Sequence, residues 1–299
     1  MRYETAAAFR TALEERLKAY AREHDAPIVR MRKMVTFDRL LARLMAGSPD
    51  SWVLKGAMAL SYRYGDRSRT TMDLDLARED DEDAAQADLM RSLRRELDDF
   101  FVFRAERVGP SADPGVRSTR YRAVAELAGR QFETIRIDIG FGDSLMAEPE
   151  MIHTSTLLEF AGMEPVRVPA LPVEQHIAEK VHAYSRSYRP GRVSSRSKDL
   201  ADLLLIASLD RPQAERLKAA FTGVFGARGS HAMPDHLPAP PESWRIPYRE
   251  LAANLGLEPD LKLAHGRAGL FLDPVLAYAA VGTWNPDRWA WERVAELEE

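Results

Sequence analysis

The sequence predicts an α+β protein with two domains. Residues 1–169 form an α/β domain with a mixed or antiparallel sheet flanked by helices, and residues 170–299 form an all-helical domain. Three observations carry this. A buried-looking strand, Trp52 to Leu54, leads through a short amphipathic segment into a second strand, Met72 to Ala77. Three β-rich segments follow between Phe101 and Gly140. From Leu171 the period-two alternation gives way to helical spacing.

Residues 3–23 read as an amphipathic helix, and residues 26–46 as another, whose apolar stripe includes Val35, Leu40, Leu41 and Leu44. Ala57 to Tyr64 is a helix starting directly after the first strand and closed by Gly65. The acidic run Glu79 to Asp83 suits a helix N-terminus and opens a helix over about 84–99. Phe101–Val108, Ser118–Ala128 and Gln131–Gly140 are strands, the last two joined by a hairpin at Ala128-Gly129-Arg130. One or two short strands fall between Pro149 and Pro169. Helices then cover 173–188, 196–209 and 211–224, with weaker ones at 246–255 and 270–281. Gly226 to Trp244 is rich in Gly, Pro and His and reads as a long loop.

Composition narrows the function classes. With 299 residues, 45% hydrophobic and 29% charged, the chain is of ordinary globular type. It lacks an apolar run long enough to span a bilayer, and its N-terminus has no signal-peptide core, so a cytoplasmic protein without membrane association is expected. The absence of cysteine excludes disulfides and thiolate metal sites. A net charge of −4 argues against a general polyanion binder. One local exception is Arg186 to Lys198, which holds four arginines and a lysine with no acid among them.

The chemistry-bearing stretch is Trp52 to Ala77. Residues two apart on a strand share a face, so Asp73 and Asp75 project together while Met72, Leu74 and Leu76 take the other side. Two carboxylates that close repel unless a cation lies between them, commonly a divalent metal. Lys55-Gly56 opens the unit, and Gly56 would let the backbone approach a phosphate at a helix N-terminus. Arg69-Thr70 immediately precedes the carboxylate strand. Asp138, an acid in the apolar strand IRIDIG, is the best third carboxylate. A bare D-x-D is common on solvated strands, and a lone acid such as Asp138 is more often a surface residue.

A second constellation lies in the helical half. Lys180 and Tyr184 are four apart on one helix face, and Asp199 and Asp202 are three apart near the start of the next helix. A lysine among apolar residues suits charge neutralisation on a triphosphate. The competing interpretation is an ion pair between Lys180 and Asp199 or Asp202.

Taken together, VLKGAMALSYRYG…RSRTTMDLDLA, RIDIG and EKVHAY…SRSKDLADLL resemble the AbiEii/AbiGii-type nucleotidyltransferase toxins of type IV toxin–antitoxin systems, the group that includes the mycobacterial MenT-type toxins. The likeness covers roughly residues 50–210, within the broader DNA polymerase β-like nucleotidyltransferase superfamily. It implies a nucleotidyltransferase-like N-terminal domain and a helical domain that completes the nucleotide site. It also implies metal-dependent transfer of NMP from an NTP to RNA, the 3′ end of tRNA above all, which would block translation. By this resemblance Asp73 and Asp75 bind Mg2+ or Mn2+ with Asp138 as third ligand, Lys180 meets the nucleotide phosphates, and Asp199 is a catalytic or organising acid. Lys55, Gly56, Ala57, Arg69, Thr70 and Asp202 are the expected nucleotide-binding residues. Partners would be the NTP, tRNA or another RNA, and a cognate antitoxin. Members of the family it resembles usually carry Gly-Gly or Gly-Ser where this chain has Gly56-Ala57.

Other outcomes remain open at the level of sequence. The acceptor could be a protein or small molecule, or the chain could be a non-catalytic nucleotide- or partner-binding module. Residues after 225 could dock an antitoxin through Trp244, Trp284, Trp289 and Trp291, and the basic run could meet acceptor phosphates. Ser61 and Ser68 are candidate modification sites.

Overall fold

A computed structural model describes residues 1–110, 117–141, 145–186 and 196–293. The chain divides into two compact units. One comprises Met1–Asp66, Thr70–Ser144 and Pro149–Leu171, and the other Arg67–Arg69, Leu145–Glu148 and Pro172–Glu299.

The first unit opens with α1 (Ala6–Glu23), started by Thr5, whose hydroxyl accepts from the Ala8 N–H at 3.2 Å. Phe9, Leu13, Leu17 and Ala21 recur every four residues and form its buried stripe. Helix α2 (Ile28–Gly47) follows Pro27. Strand β1 (Val53–Lys55) runs directly into α3 (Gly56–Tyr64), then β2 (Asp73–Arg78) and α4 (Glu82–Leu93). The acidic run does start α4: Asp81 accepts from the Ala84 N–H at 2.8 Å, and Glu82 and Asp83 fill the first turn. The helix stops at Leu93, short of the expected 99, because Asp99 turns inward between Arg39 and Arg43. Strands β3 (Phe101–Pro110), β4 (Arg117–Leu127), β5 (Arg130–Phe141), β6 (Glu150–His153) and β7 (Arg167–Ala170) complete the unit.

The sheet is seven-stranded in the order β3-β4-β5-β2-β1-β7-β6. Pairs β2–β5 and β1–β7 are parallel and the others antiparallel, so the sheet is mixed. The β4–β5 turn has Ala128 and Gly129 both at positive φ, 53° and 68°, as a two-residue hairpin requires. Leu74, Leu76, Ile135, Ile137 and Ile139 point into one core shared with the apolar stripes of α1, α2 and α4. Met72 is not part of that face: it precedes β2 and is exposed.

The second unit contains α5 (Val173–Ser185), α6 (Ser197–Leu209), α7 (Ala214–Arg228), α8 (Arg245–Leu255) and α9 (Leu261–Leu276). Helix α9 starts nine residues before the expected 270, capped by the Asp260 carboxylate on the N–H groups of Lys262 and Leu263. Gly266 and Gly269 inside it obscured the helical pattern. The unit is not purely helical. A small antiparallel pair, β8 (Thr283–Asn285) and β9 (Ala290–Glu292), folds onto it through Trp284, whose indole N–H donates to the Ala207 carbonyl at 2.7 Å. Trp284 and Trp244 are buried core residues, so neither is an exposed anchor for a partner. No described helix is long and apolar enough to cross a membrane.

Candidate functional site

In the first unit the expected site residues meet on one face of the sheet. Lys55 pairs with Asp75 across β1–β2, Asp75 with Asp138 across β2–β5, and Asp138 with Arg120 across β5–β4. Directly opposed residues share a face, so a row of charges, plus-minus-minus-plus, crosses four strands. The neighbouring row runs from Asp73 through Arg136 and Arg122 to Glu106. Asp73 and Asp75 are half-buried while Leu74 and Leu76 are fully buried, which is the alternation the D-x-D pattern predicts.

Gly56 is fixed twice over. Its φ is +66°, and a Cβ built there would stand 1.9 Å from Asp75 Oδ2. The Asp75 carboxylate therefore lies directly against the first residue of α3. Ala57 follows it and is buried. Lys55 Nζ reaches over Gly140, where a Cβ would lie 3.3 Å away.

The outer carboxylates hold guanidinium partners. Arg120 donates Nε and Nη2 to the two oxygens of Asp138, each at 2.7 Å, and Arg136 donates Nε to Asp73 Oδ1 at 2.6 Å. The Asp138 hydrogen bonds raise the Arg120 pKa, and the charges of Asp138, Asp73 and Asp75 act in the same direction against burial. Among the described residues no group of three or more acidic or histidine side chains is assembled for a metal ion. Asp138, expected as a third ligand, has both its oxygens hydrogen-bonded to Arg120 here. The Asp73–Asp75 pair still fits a hard cation of the Mg2+ type, which takes one or two carboxylates and completes its shell with water and substrate phosphates.

In the second unit Lys180, on α5, donates to Asp202 Oδ2 at 2.6 Å and approaches Asp199 Oδ1 at 3.4 Å. Arg69 grips the same Asp202 carboxylate in a fork at 2.9 and 3.0 Å. Burial would push Asp202 up, but the charges and hydrogen bonds of Lys180 and Arg69 outweigh it and hold the group below the ordinary carboxylate range. Asp202 is 0% exposed. Asp202, expected to be a nucleotide-binding residue, is here enclosed by its two cations. The ion-pair interpretation of Lys180 is therefore realised in the fold, and Arg69 is tied to that cluster. Thr70 belongs to the first unit and is exposed. Arg196 reaches Asp199 Oδ2 at 3.3 Å, while residues 187–195 of the basic run lie outside the described residues. Ser61 and Ser68 are buried, which removes them as ready sites of modification.

Residues 39–292 match the family model described as nucleotidyl transferase AbiEii toxin, type IV toxin–antitoxin system. The chain belongs to this family. It is accordingly a nucleotidyltransferase of the AbiEii toxin type. Among solved structures it is similar in fold to MenT4, a nucleotidyltransferase toxin from Mycobacterium tuberculosis H37Rv. The identity is 18%, the TM-score 0.55, and the match covers 88% of this chain and 98% of that one. JHP933 from Helicobacter pylori matches at 15% identity and TM-score 0.47, over 83% of this chain and 93% of that one. A comparison with curated proteins finds no match.

Of the two arginines that stand among the carboxylates, Arg136 opens the RIDIG block and Arg120 lies outside the quoted motifs. Their shared sequence signal is alternation with isoleucine and small residues along β5 and β4.

Proposed function

We propose that this AbiEii-family protein transfers a nucleoside monophosphate from an NTP to an RNA acceptor, the 3′ end of tRNA, releasing pyrophosphate and blocking translation. The observation that carries this is the Asp73–Asp75 pair on one face of β2, with Asp75 closed over a glycine at the start of α3. Asp73 and Asp75 would hold Mg2+ or Mn2+, and the bound ion would neutralise charge on the phosphate oxygens. The N–H groups at the start of α3, at Gly56 and Ala57, would donate to phosphate oxygens, with Lys55 beside them as a point charge. Lys180, held in place by Asp199 and Asp202, would neutralise charge on the nucleotide phosphates. Arg69, fixed by Asp202, would add a second cation. The protein would work in the cytoplasm, where its substrates are, and would be restrained by a cognate antitoxin.

Purified protein incubated with Mg2+, labelled NTPs and total tRNA should label RNA, and Asp73→Ala should abolish the label. No transfer to RNA by the wild type, or equal transfer by Asp73→Ala, overturns the proposal. Label on protein instead of RNA would identify a different acceptor class.

A further inference from the structure

Three arginines, Arg120, Arg122 and Arg136, share the carboxylate face of the sheet and have no task in the scheme above. Their position relative to the phosphate cradle gives them one. Lys55 and Gly56 lie on the β1 side of the Asp75–Asp138 pair, and Arg120 lies on the β4 side. Strands stand about 4.8 Å apart, so Lys55 and Arg120 are separated by about 14 Å across the sheet, with the carboxylates between them. In an in-line displacement at phosphorus the leaving group and the attacking oxygen occupy opposite sides of the reacting atom. With the triphosphate seated at Gly56 as proposed above, pyrophosphate would leave toward the β1 flank, and the acceptor hydroxyl would enter from the β4–β5 flank, where the arginines stand.

We propose that Arg120 and Arg136 bind the backbone phosphate of the RNA acceptor next to its attacking hydroxyl, and that Asp138 is a positioning residue for Arg120 and not a metal ligand. This rests on the assignment of RNA as acceptor. The geometry suits the task. Asp138 engages Nε and Nη2 of Arg120 through both oxygens, which locks the plane of the fork and leaves Nη1 for an anion. The Arg120 side chain is 25% exposed and that of Asp138 15%, so the pair is seated in the sheet face with one edge open. Arg136 commits only Nε to Asp73, and half of its side chain is exposed. Ile135, Ile137 and Tyr121 anchor the two strands from the opposite face, so both guanidiniums start from rigid backbone. The alternative is that these are cross-strand ion pairs serving the sheet alone.

Two kinds of measurement separate these. RNA binding is followed by anisotropy of a 5′-labelled tRNA acceptor-stem oligonucleotide, with Mg2+ and a non-hydrolysable NTP present, and NTP binding by calorimetry. Arg120→Ala should weaken RNA binding and raise the KM for RNA about tenfold, the loss expected for one charge-assisted contact. The NTP Kd should stay within about twofold, and the salt slope for RNA should shrink by about 0.7 per lost phosphate contact. Arg120→Lys should restore part of the loss, since it keeps the charge but not the fork. Asp138→Asn should shift RNA binding in the same direction while Mn2+ affinity, read by electron paramagnetic resonance, is unchanged. The double variant should be no worse than Arg120→Ala. The proposal is overturned if Asp138→Asn weakens Mn2+ binding tenfold, or if Arg120→Ala leaves RNA affinity and salt slope at wild-type values. A wild type that binds RNA but transfers nothing to it removes the acceptor assignment alone, and the binding measurements still decide the role of Arg120.

Discussion

Gly56→Ala is the sharpest perturbation of this site, because one methyl group tests both the backbone and the carboxylate. Its φ of +66° is a conformation that alanine adopts at a cost of about 1–2 kcal/mol. The added Cβ would fall 1.9 Å from Asp75 Oδ2 and 2.7 Å from its carboxyl carbon, inside the range that real Cβ atoms avoid. Asp75 or α3 must therefore shift by about 1 Å, and a displacement of that size in a reacting centre costs on the order of 100-fold in rate. Gly129→Ala supplies the control. Gly129 has a nearly identical φ of +68° in the β4–β5 turn, but nothing lies within 4 Å of its would-be Cβ. Both variants should lose about 1–2 kcal/mol in urea unfolding from backbone strain, and only Gly56→Ala should lose transfer activity, with weaker Mn2+ binding alongside. If Gly56→Ala keeps activity within a few-fold of wild type, or Gly129→Ala loses as much, the coupling of Gly56 to Asp75 is refuted.

Other expectations follow from the buried charges. Asp38 is buried, accepts from the Tyr62 hydroxyl at 2.6 Å and from the Ser155 hydroxyl, and is pushed up to about 6 by burial, which those hydrogen bonds only partly offset. Its pKa is higher folded than unfolded, so its contribution to stability falls as pH rises between about 4 and 6, by up to about 3 kcal/mol. Unfolding curves of wild type and Asp38→Asn should diverge in that window, and parallel curves would contradict the assignment. Asp99 joins Arg39 and Arg43 in the first core, with contacts of 2.7–2.8 Å, so Asp99→Ala should cost about 3–5 kcal/mol in urea titration by stranding two buried guanidiniums. Asp202→Asn should likewise destabilise the helical unit, most strongly at neutral pH. Because the folded pKa of Asp202 is lowered, the difference from wild type should shrink as pH falls below the ordinary carboxylate range. A difference independent of pH would show that the Lys180–Asp202–Arg69 contacts carry little.

Much of the site was legible before any tertiary information. The period of two placed Asp73 and Asp75 together and opposite Leu74 and Leu76, and the same alternation turned Asp138 away from Ile137 and Ile139. Helix α4 was readable from its acidic cap, and the β4–β5 hairpin from Ala128-Gly129. Local signals of this kind depend on residues a few positions apart, which is why they survive in sequence.

What the sequence determined by itself was most of the strands and helices of the first unit, the face of β2 and β5 that carries charge, and the residues that mark an AbiEii-type nucleotidyltransferase. What tertiary structure decided was the company those residues keep. A register shift near Ala125–Glu126 places Arg120 opposite Asp138, whereas a regular ladder from the hairpin turn would place it opposite Ile137. That one-residue shift occupies the expected third carboxylate and puts a guanidinium beside it. Asp202 became enclosed because Arg69 and Lys180, 133 and 22 residues away in the chain, converge on one carboxylate. Periodicity reports which way a side chain points. Only the pairing of distant segments determines what it meets there.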